Sequence, residues 1–180
     1  MVKNELRTRY KKIRNEILNK EIKSNVITDK ILDLDEYKSS NVICIYVSFS
    51  SEVITYNLIK KSLELGKTVA VPKIGNSNIM DFFIINSLDE FDSVNSLGIK
   101  EPKNNKKIDK NDIDLIIVPG ICFDRNKNRV GFGKGYYDKY LCNLPDKTIK
   151  LGICFNEQIL ENEYIPCNKF DIKMDMIIFD

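Results

Sequence analysis

The 180-residue sequence contains no histidine. That absence excludes Ser-His and Cys-His nucleophile pairs, imidazole general bases and His-ligated zinc. Any catalysis has to run through carboxylates, Lys, Arg, Tyr, backbone dipoles or a hard metal ion. Such a set suits phosphoryl chemistry, where positioning and charge neutralisation matter most. An excess of one charge is also missing: 28 Lys and Arg against 26 Asp and Glu leave a net +2, spread along the chain. No basic stripe therefore argues for nucleic acid. No apolar run approaches the ~20 residues of a membrane span. The N-terminal stretch MVKNELRTRYKK also lacks the apolar segment of a signal peptide. The five cysteines (Cys44, Cys122, Cys142, Cys154, Cys167) are odd in number and lack CxxC spacing. They predict reduced, partly buried thiols in a cytoplasmic protein rather than a disulfide framework. Internal repeats, low-complexity tracts and composition shifts are absent too. Residues 1–180 therefore read as a single domain, 43% hydrophobic and 30% charged, long enough to bury a real core.

What is present begins with an amphipathic helix predicted over Lys3–Asn19, where Leu6, Tyr10, Ile13 and Ile17 form one apolar stripe. Lys3, Arg7 and Arg14 border that stripe, and Arg14 reads as a cation snorkelling at a helix edge. A second helix is predicted over Ile22–Leu34, with Val26, Ile27, Ile31 and Leu32 inward. The continuously apolar Val42–Val47 reads as a strand covered on both faces. A helix over Val53–Leu65 stops at Gly66, and a strand follows from Thr68 to Val71, ending at Pro72-Lys73. This β-α-β order predicts parallel strands with a right-handed crossover. Further strands are predicted at Ile79–Ile85, Leu115–Val118, Ile149–Phe155 and Met176–Phe179, with a short turn or helix at Ser87–Phe91 and a short helical piece around Glu157–Leu160. Phe82 and Phe83 read as core. The polar stretch KNNKKIDKND reads as an exposed loop. The expected architecture is a three-layer α/β/α sandwich around a mostly parallel, Rossmann-like sheet. Ligands in such sheets gather at the carboxyl ends of the strands. Glu52, Lys73 and the segment after Val118 are expected to share one cleft there. Glu52 has a plainer reading as a first-turn helix acid.

That last segment, VPGICFDRNKNRVGFGKGYYDKYL, carries the chemistry. Arg129-Val130-Gly131-Phe132-Gly133-Lys134-Gly135 places three glycines at alternate positions beside two cations. Glycines admit positive φ and let a ligand approach main-chain N–H groups. A concave run of such groups before a helix favours an anion such as phosphate. Arg129 supplies a planar fork, Lys134 a mobile point charge, and Asp138 an oxygen that can reach a phosphate-bound Mg²⁺. It is not a Walker A loop, since Gly135 stands where Ser or Thr is needed after Lys134, nor a GxGxxG fingerprint. A solvated turn is the bland alternative.

RVGFGKGYYDKYL resembles the signature of the 5-formyltetrahydrofolate cyclo-ligase family, also called methenyltetrahydrofolate synthetases. The resemblance runs from Lys3 to about Ile178. It takes in the K-x-x-x-R of Lys3 and Arg7, the Ser48–Thr55 segment with Glu52, Pro72-Lys73…Met80-Asp81-Phe82, and Gly98-x-x-Glu101-Pro102. Lys127 and Lys139 depart from residues usual in the family. The resemblance implies ATP-dependent conversion of 5-formyltetrahydrofolate to 5,10-methenyltetrahydrofolate. It implies that ATP is held by Lys3, Asn4, Glu5, Leu6 and Arg7 together with Arg129, Val130, Gly131, Phe132, Gly133, Lys134, Gly135, Tyr136 and Tyr137. Folate is implied at Val47, Glu52, Phe132, Gly133, Lys134, Gly135 and Tyr136, and Mg²⁺ at Asp138 and Asp171. Arg129, Lys134 and Asp138 take the catalytic roles. ATP and Mg²⁺ are the cofactors. The expected partners are the two small-molecule substrates, with no nucleic acid and no membrane, and the expected form is a cytoplasmic monomer. Two other classes stay open: an ATP-binding regulatory module without folate turnover, and a phosphosugar isomerase needing no ATP.

Overall fold

The computed structural model describes residues 2–75, 79–94, 98–103 and 105–180. Helix α1 (Lys3–Glu16) buries Leu6 and Tyr10 on the stripe expected of it. Helix α2 (Lys20–Asp33) is followed at once by a short α3 (Asp35–Ser39), the break falling at Leu34, whose ψ of 137° is extended. Strand β1 (Val42–Ile45) is shorter than the apolar run, because Tyr46 and Val47 leave the sheet while staying buried. The next helix, α4 (Tyr56–Glu64), starts three residues later than the expected Val53. The reason lies in side chains that satisfy the backbone outside a helix. Ser48 N donates to Thr55 Oγ1 (3.1 Å), Thr55 N donates to Ser48 Oγ (3.2 Å), and Thr55 Oγ1 donates to the Tyr46 carbonyl (2.7 Å). Glu52 therefore sits in a closed loop, not in a first helical turn.

Strand β2 (Thr68–Ile74) runs past Pro72-Lys73 and pairs with β3 (Met80–Ile85). A small hairpin of β4 (Phe91–Val94) and β5 (Lys100–Pro102) follows a single 3₁₀ turn at Leu88–Glu90. In the polar stretch, Asn104 lies outside the described residues and Ile108 is a buried anchor, as is Ile113 just after it. The second half contains β6 (Leu115–Pro119), β7 (Cys122–Asp124), β8 (Arg129–Val130), α5 (Tyr136–Leu141), β9 (Ile149–Ile153), β10 (Ile159–Leu160) and β11 (Met176–Ile178). The helix expected at Glu157–Leu160 is instead a 3₁₀ turn at Asn156–Gln158 that hands over to β10.

Six strands form the main sheet in the order β11-β9-β6-β1-β2-β3. Neighbours are parallel except β2 and β3, which pair antiparallel at one edge. Side chains alternate between faces with a period of two. Ile43, Ile45, Val69, Val71, Leu115 and Ile117 face the cluster that also holds Ile27, Ile31, Leu58 and Ile59 of α2 and α4. Cys44, Ala70, Ile116 and Val118 face a second cluster with Phe82, Tyr140 and Leu141. Both faces are thus covered, the second by a thinner layer built on α5. A separate three-stranded sheet, β10-β7-β8, packs Cys122, Val130 and Leu160 against Leu6 and Tyr10 of α1. This arrangement carries α1 to the carboxyl end of the main sheet.

One steric device locks the two sheets together. The ring of Phe123, fully buried, lies between Gly120 and Gly152. A Cβ on Gly120 would come within 2.5 Å of that ring, and one on Gly152 within 2.6 Å of it and 3.1 Å of Met174. Gly152→Ala is expected to lower stability by about 1–3 kcal/mol through overpacking, read as a lower denaturation midpoint in urea.

Candidate active site

The parallel strands β1, β2 and β6 all end at one cleft of ≈ 780 Å³, whose floor includes Val47, Pro72, Ile74 and Pro119. One wall is the glycine-rich segment between β8 and α5. Its geometry begins at Asp124, a buried carboxylate on β7 that accepts from Asn128 N (2.9 Å), Asn128 Nδ2 (3.0 Å) and Ile165 N (2.9 Å). These bonds tie the turn that presents Arg129. Lys127 in that turn takes a φ of 66°, a conformation that glycine adopts at lower cost. Asp124→Ala strands three buried donors and is expected to destabilise the protein by about 2–4 kcal/mol. Chemical denaturation with intrinsic tyrosine fluorescence as readout measures this.

Arg129 is only 7% exposed, so its orientation is set by its surroundings. Its Nη2 donates to Asp138 Oδ1 (2.8 Å), its guanidinium lies 5.8 Å over the Tyr137 ring, and its Nε is buried without a partner. Burial pulls the guanidinium below its ordinary range and Asp138 works against that pull. Gly131 is needed for close approach, since a Cβ there would come within 3.1 Å of Arg129 Nη1. Gly133 and Gly135 are needed for conformation, with φ of +100° and +69°. Of the three glycines, then, two use positive φ and one makes room.

Helix α1 supplies the facing cations. Arg7 Nε donates to the Gly131 carbonyl (2.8 Å) and its Nη1 donates to Asn4 Oδ1. Lys3 Nζ pairs with Asp171 Oδ2, which also accepts from Asn168 N (2.6 Å). Partial burial alone would raise the Asp171 carboxyl; Lys3, the Asn168 N–H and Arg129 outweigh it and hold the group below its ordinary value. Glu52 also lines the cleft, 7% exposed, with Oε2 accepting from Phe49 N (3.0 Å). Burial pushes its carboxyl up to about 7, against the opposing pull of Arg14 and the Phe49 N–H.

The cleft brings together Lys3, Arg7, Val47, Glu52, Arg129, Gly131, Phe132, Gly133, Lys134, Gly135, Tyr136, Tyr137, Asp138 and Asp171. Four of the expected residues do not line it. Leu6 and Val130 are buried in the small core, Asn4 orients Arg7, and Glu5 accepts from Val2 N at the start of α1. Lys73 is a correction. Pro72 and Ile74 face the cleft, so the intervening residue of the strand points to the other face. There Lys73 donates to the Pro102 carbonyl and Asn105, each at 3.3 Å. Sequence reasoning also missed lining residues. Glu101, 7% exposed, accepts from Ile74 N, and Tyr46, Phe49 and Phe170 contribute aromatic surface. Glu101 was visible only as part of a motif, and nothing in the local pattern marked Phe170.

Among the described residues no group of three or more His, Cys, Asp or Glu side chains could hold a metal by itself. The donor set nonetheless fits Mg²⁺, which is bound through one or two carboxylates together with phosphate oxygens and water. Asp138 Oδ1 accepts from Arg129 and from Ile172 N, and both bonds to Asp171 go to its Oδ2. One oxygen of each carboxylate thus remains open among the described residues.

The profile of the 5-formyltetrahydrofolate cyclo-ligase family matches residues 1–180. A probable 5-formyltetrahydrofolate cyclo-ligase of Schizosaccharomyces pombe is 36% identical over 165 residues, covering 84% of this chain and 81% of its own. The mouse 5-formyltetrahydrofolate cyclo-ligase is 32% identical, covering 87% and 82%. Among solved structures, the 5,10-methenyltetrahydrofolate synthetase of Aquifex aeolicus superposes with a TM-score of 0.85 at 30% identity, covering 99% of this chain and 90% of that one.

Proposed function

Since the chain belongs to the 5-formyltetrahydrofolate cyclo-ligase family, we propose that it closes the ring of 5-formyltetrahydrofolate to give 5,10-methenyltetrahydrofolate, consuming ATP and releasing ADP and phosphate. In this reading residues 1–180 are one cyclo-ligase-like domain, acting as a cytoplasmic monomer on small molecules. A formamide oxygen is a poor leaving group, which is the difficulty the site has to solve. The formyl oxygen attacks the γ-phosphorus, the bond from that phosphorus to ADP breaks, and an iminium phosphate results. N10 then attacks the formyl carbon and loses its proton, and the carbon–oxygen bond breaks to release phosphate. No step requires an imidazole.

The observation that carries the proposal is a single cleft lined both by a group of cations and by a buried carboxyl. Arg129, Lys134, Lys3 and Arg7 hold phosphate oxygens, while the Gly131–Gly135 backbone approaches them without side chains in the way. Asp138 and Asp171 would hold Mg²⁺, which when bound neutralises charge on the phosphates. Glu52 accepts N–H donors of the pterin, with Val47, Phe132 and Tyr136 as apolar walls around the ring. Alignment of the formyl oxygen with the γ-phosphorus is the main catalytic contribution of these contacts.

The test is the near-ultraviolet absorbance of the methenyl product formed from 5-formyltetrahydrofolate by the purified protein, with and without ATP. ATP-dependent product growth is expected. A protein that binds ATP·Mg²⁺ yet forms no product would be a regulatory module, and one that acts without ATP would belong to the isomerase class.

A further inference from the structure

Arg14 is not the edge cation its sequence position suggests. It is 4% exposed, and it stands where three separate parts of the chain meet. Its Nε donates to Ser51 Oγ (3.1 Å), a hydroxyl that in turn donates to Asn15 Oδ1 (2.7 Å). Its Nη1 lies 4.0 Å from Glu52 Oε1 and has no hydrogen-bond partner although buried. Its guanidinium lies 5.3 Å over the ring of Phe132, the one side chain that projects from the glycine loop between Gly131 and Gly133. Yet Arg14 does not itself line the cleft. A buried guanidinium without a full set of acceptors is costly, so its retention here asks for a reason other than packing.

We propose that Arg14 is a positioning residue for folate: braced against Phe132 of the glycine loop, it aims the Glu52 carboxylate at the pterin. The proposal rests on the reading of Glu52 as the pterin anchor. Its physical content is simple. The groups facing Glu52 are Arg14 from α1, Tyr46 from the end of β1, Tyr137 from α5 and the Phe49 N–H of its own loop. Arg14 is the only formal cation among them. Both tyrosine hydroxyls are pushed upward by burial, so they stay neutral and act only as dipoles. Remove the cation and burial acts on Glu52 with only a single N–H to oppose it. The protonated form then gains, and a protonated carboxyl presents one acceptor fewer to the N–H donors of a pterin. The contact with Phe132 holds the guanidinium itself in place beside Glu52.

The test compares wild type, Arg14→Met and Arg14→Lys by steady-state kinetics from pH 6 to 9, with folate and ATP varied separately. For Arg14→Met, KM for 5-formyltetrahydrofolate at pH 7 is expected to rise about fivefold or more, as ionisation of Glu52 falls from about half to about a tenth. The pH at which that KM improves is expected to move upward by about one unit. KM for ATP stays within about twofold. Arg14→Lys keeps the charge, and its pH midpoint is expected to remain near that of wild type. In a Glu52→Gln background, Arg14→Met is expected to add less than about a twofold effect, since the group it acts through is gone. Equal losses in both KM values, an unmoved pH midpoint in Arg14→Met, or additive effects in the double variant would overturn the proposal. A wild-type protein that binds no 5-formyltetrahydrofolate by equilibrium titration would overturn the functional reading first, and this inference with it.

Discussion

Arg129→Ala is expected to lower turnover of 5-formyltetrahydrofolate by about 10²–10³-fold at saturating substrates, the scale of losing one preorganised charge-stabilising donor. Arg129 is suited to that role because the protein has already desolvated and oriented it. It stacks on Tyr137 and anchors through Asp138, with a buried Nε unsatisfied. Its charge therefore needs little reorganisation when negative charge builds on the γ-phosphoryl group. The side chain is also buried, so its removal carries a structural cost in a chain that still folds. Alanine leaves Asp138 with only the Ile172 N–H, so a stability loss of about 1–3 kcal/mol should accompany the kinetic one. Arg129→Lys separates the two effects, since it retains a cation without the planar fork. Asp138→Asn is the companion test. It keeps an oxygen for Ile172 N and for Arg129 but loses the charge that would hold Mg²⁺. Folded Arg129→Ala and Asp138→Asn proteins with wild-type turnover would together remove the phosphate end of the mechanism.

Glu52→Gln is expected to have the largest effect on folate affinity, raising KM for 5-formyltetrahydrofolate by about 10–100-fold, the range for losing hydrogen bonds to a charged acceptor. Its effect on stability has the opposite sign at neutral and alkaline pH. The native carboxyl is raised from 4.5 to about 7 by burial, with Arg14 and the Phe49 N–H opposing. Between those two values the folded protein holds a proton that the unfolded chain has released. Stability therefore falls as pH rises across that window, by a total on the order of 3 kcal/mol from this group. An amide does not titrate, so the variant should show a flatter stability profile and gain on wild type toward pH 8. Urea midpoints at pH 5, 6, 7 and 8 measure this. A difference between the two proteins that is the same at every pH would show that Glu52 is not held protonated by its environment. A buried group of this kind, raised by desolvation and placed at a ligand cleft, trades stability for function.

The main sheet and the glycine loop were both readable from residue order. Continuous apolar runs such as VICI and LIIV, each only a few residues long, fit strands covered on both faces, and Gly66 fits the end of a helix. The loop was legible because its features are local: alternate glycines, two cations and an acid one helical turn on. Those features span a few residues, and a linear sequence records them directly.

What the sequence did not record is which distant groups meet. Arg14 reads as an edge cation because helical periodicity places it on a border; only the packing of α1 against the Ser51–Glu52 loop and Phe132 makes that border an interior. Glu52 reads as a helix-start acid because Ser48 and Thr55 look like ordinary loop residues until their side chains close on one another. Lys73 falls at a strand end by sequence, but β2 continues to Ile74 and the alternation of the strand turns it away from the cleft. Residue types and short spacings determined that this chain has a sheet with a glycine-rich, cationic loop at its carboxyl end. Burial and long-range contact decided which charges face the cleft and in what protonation state, because desolvation and Coulomb attraction depend on distances in space that the order of residues does not carry.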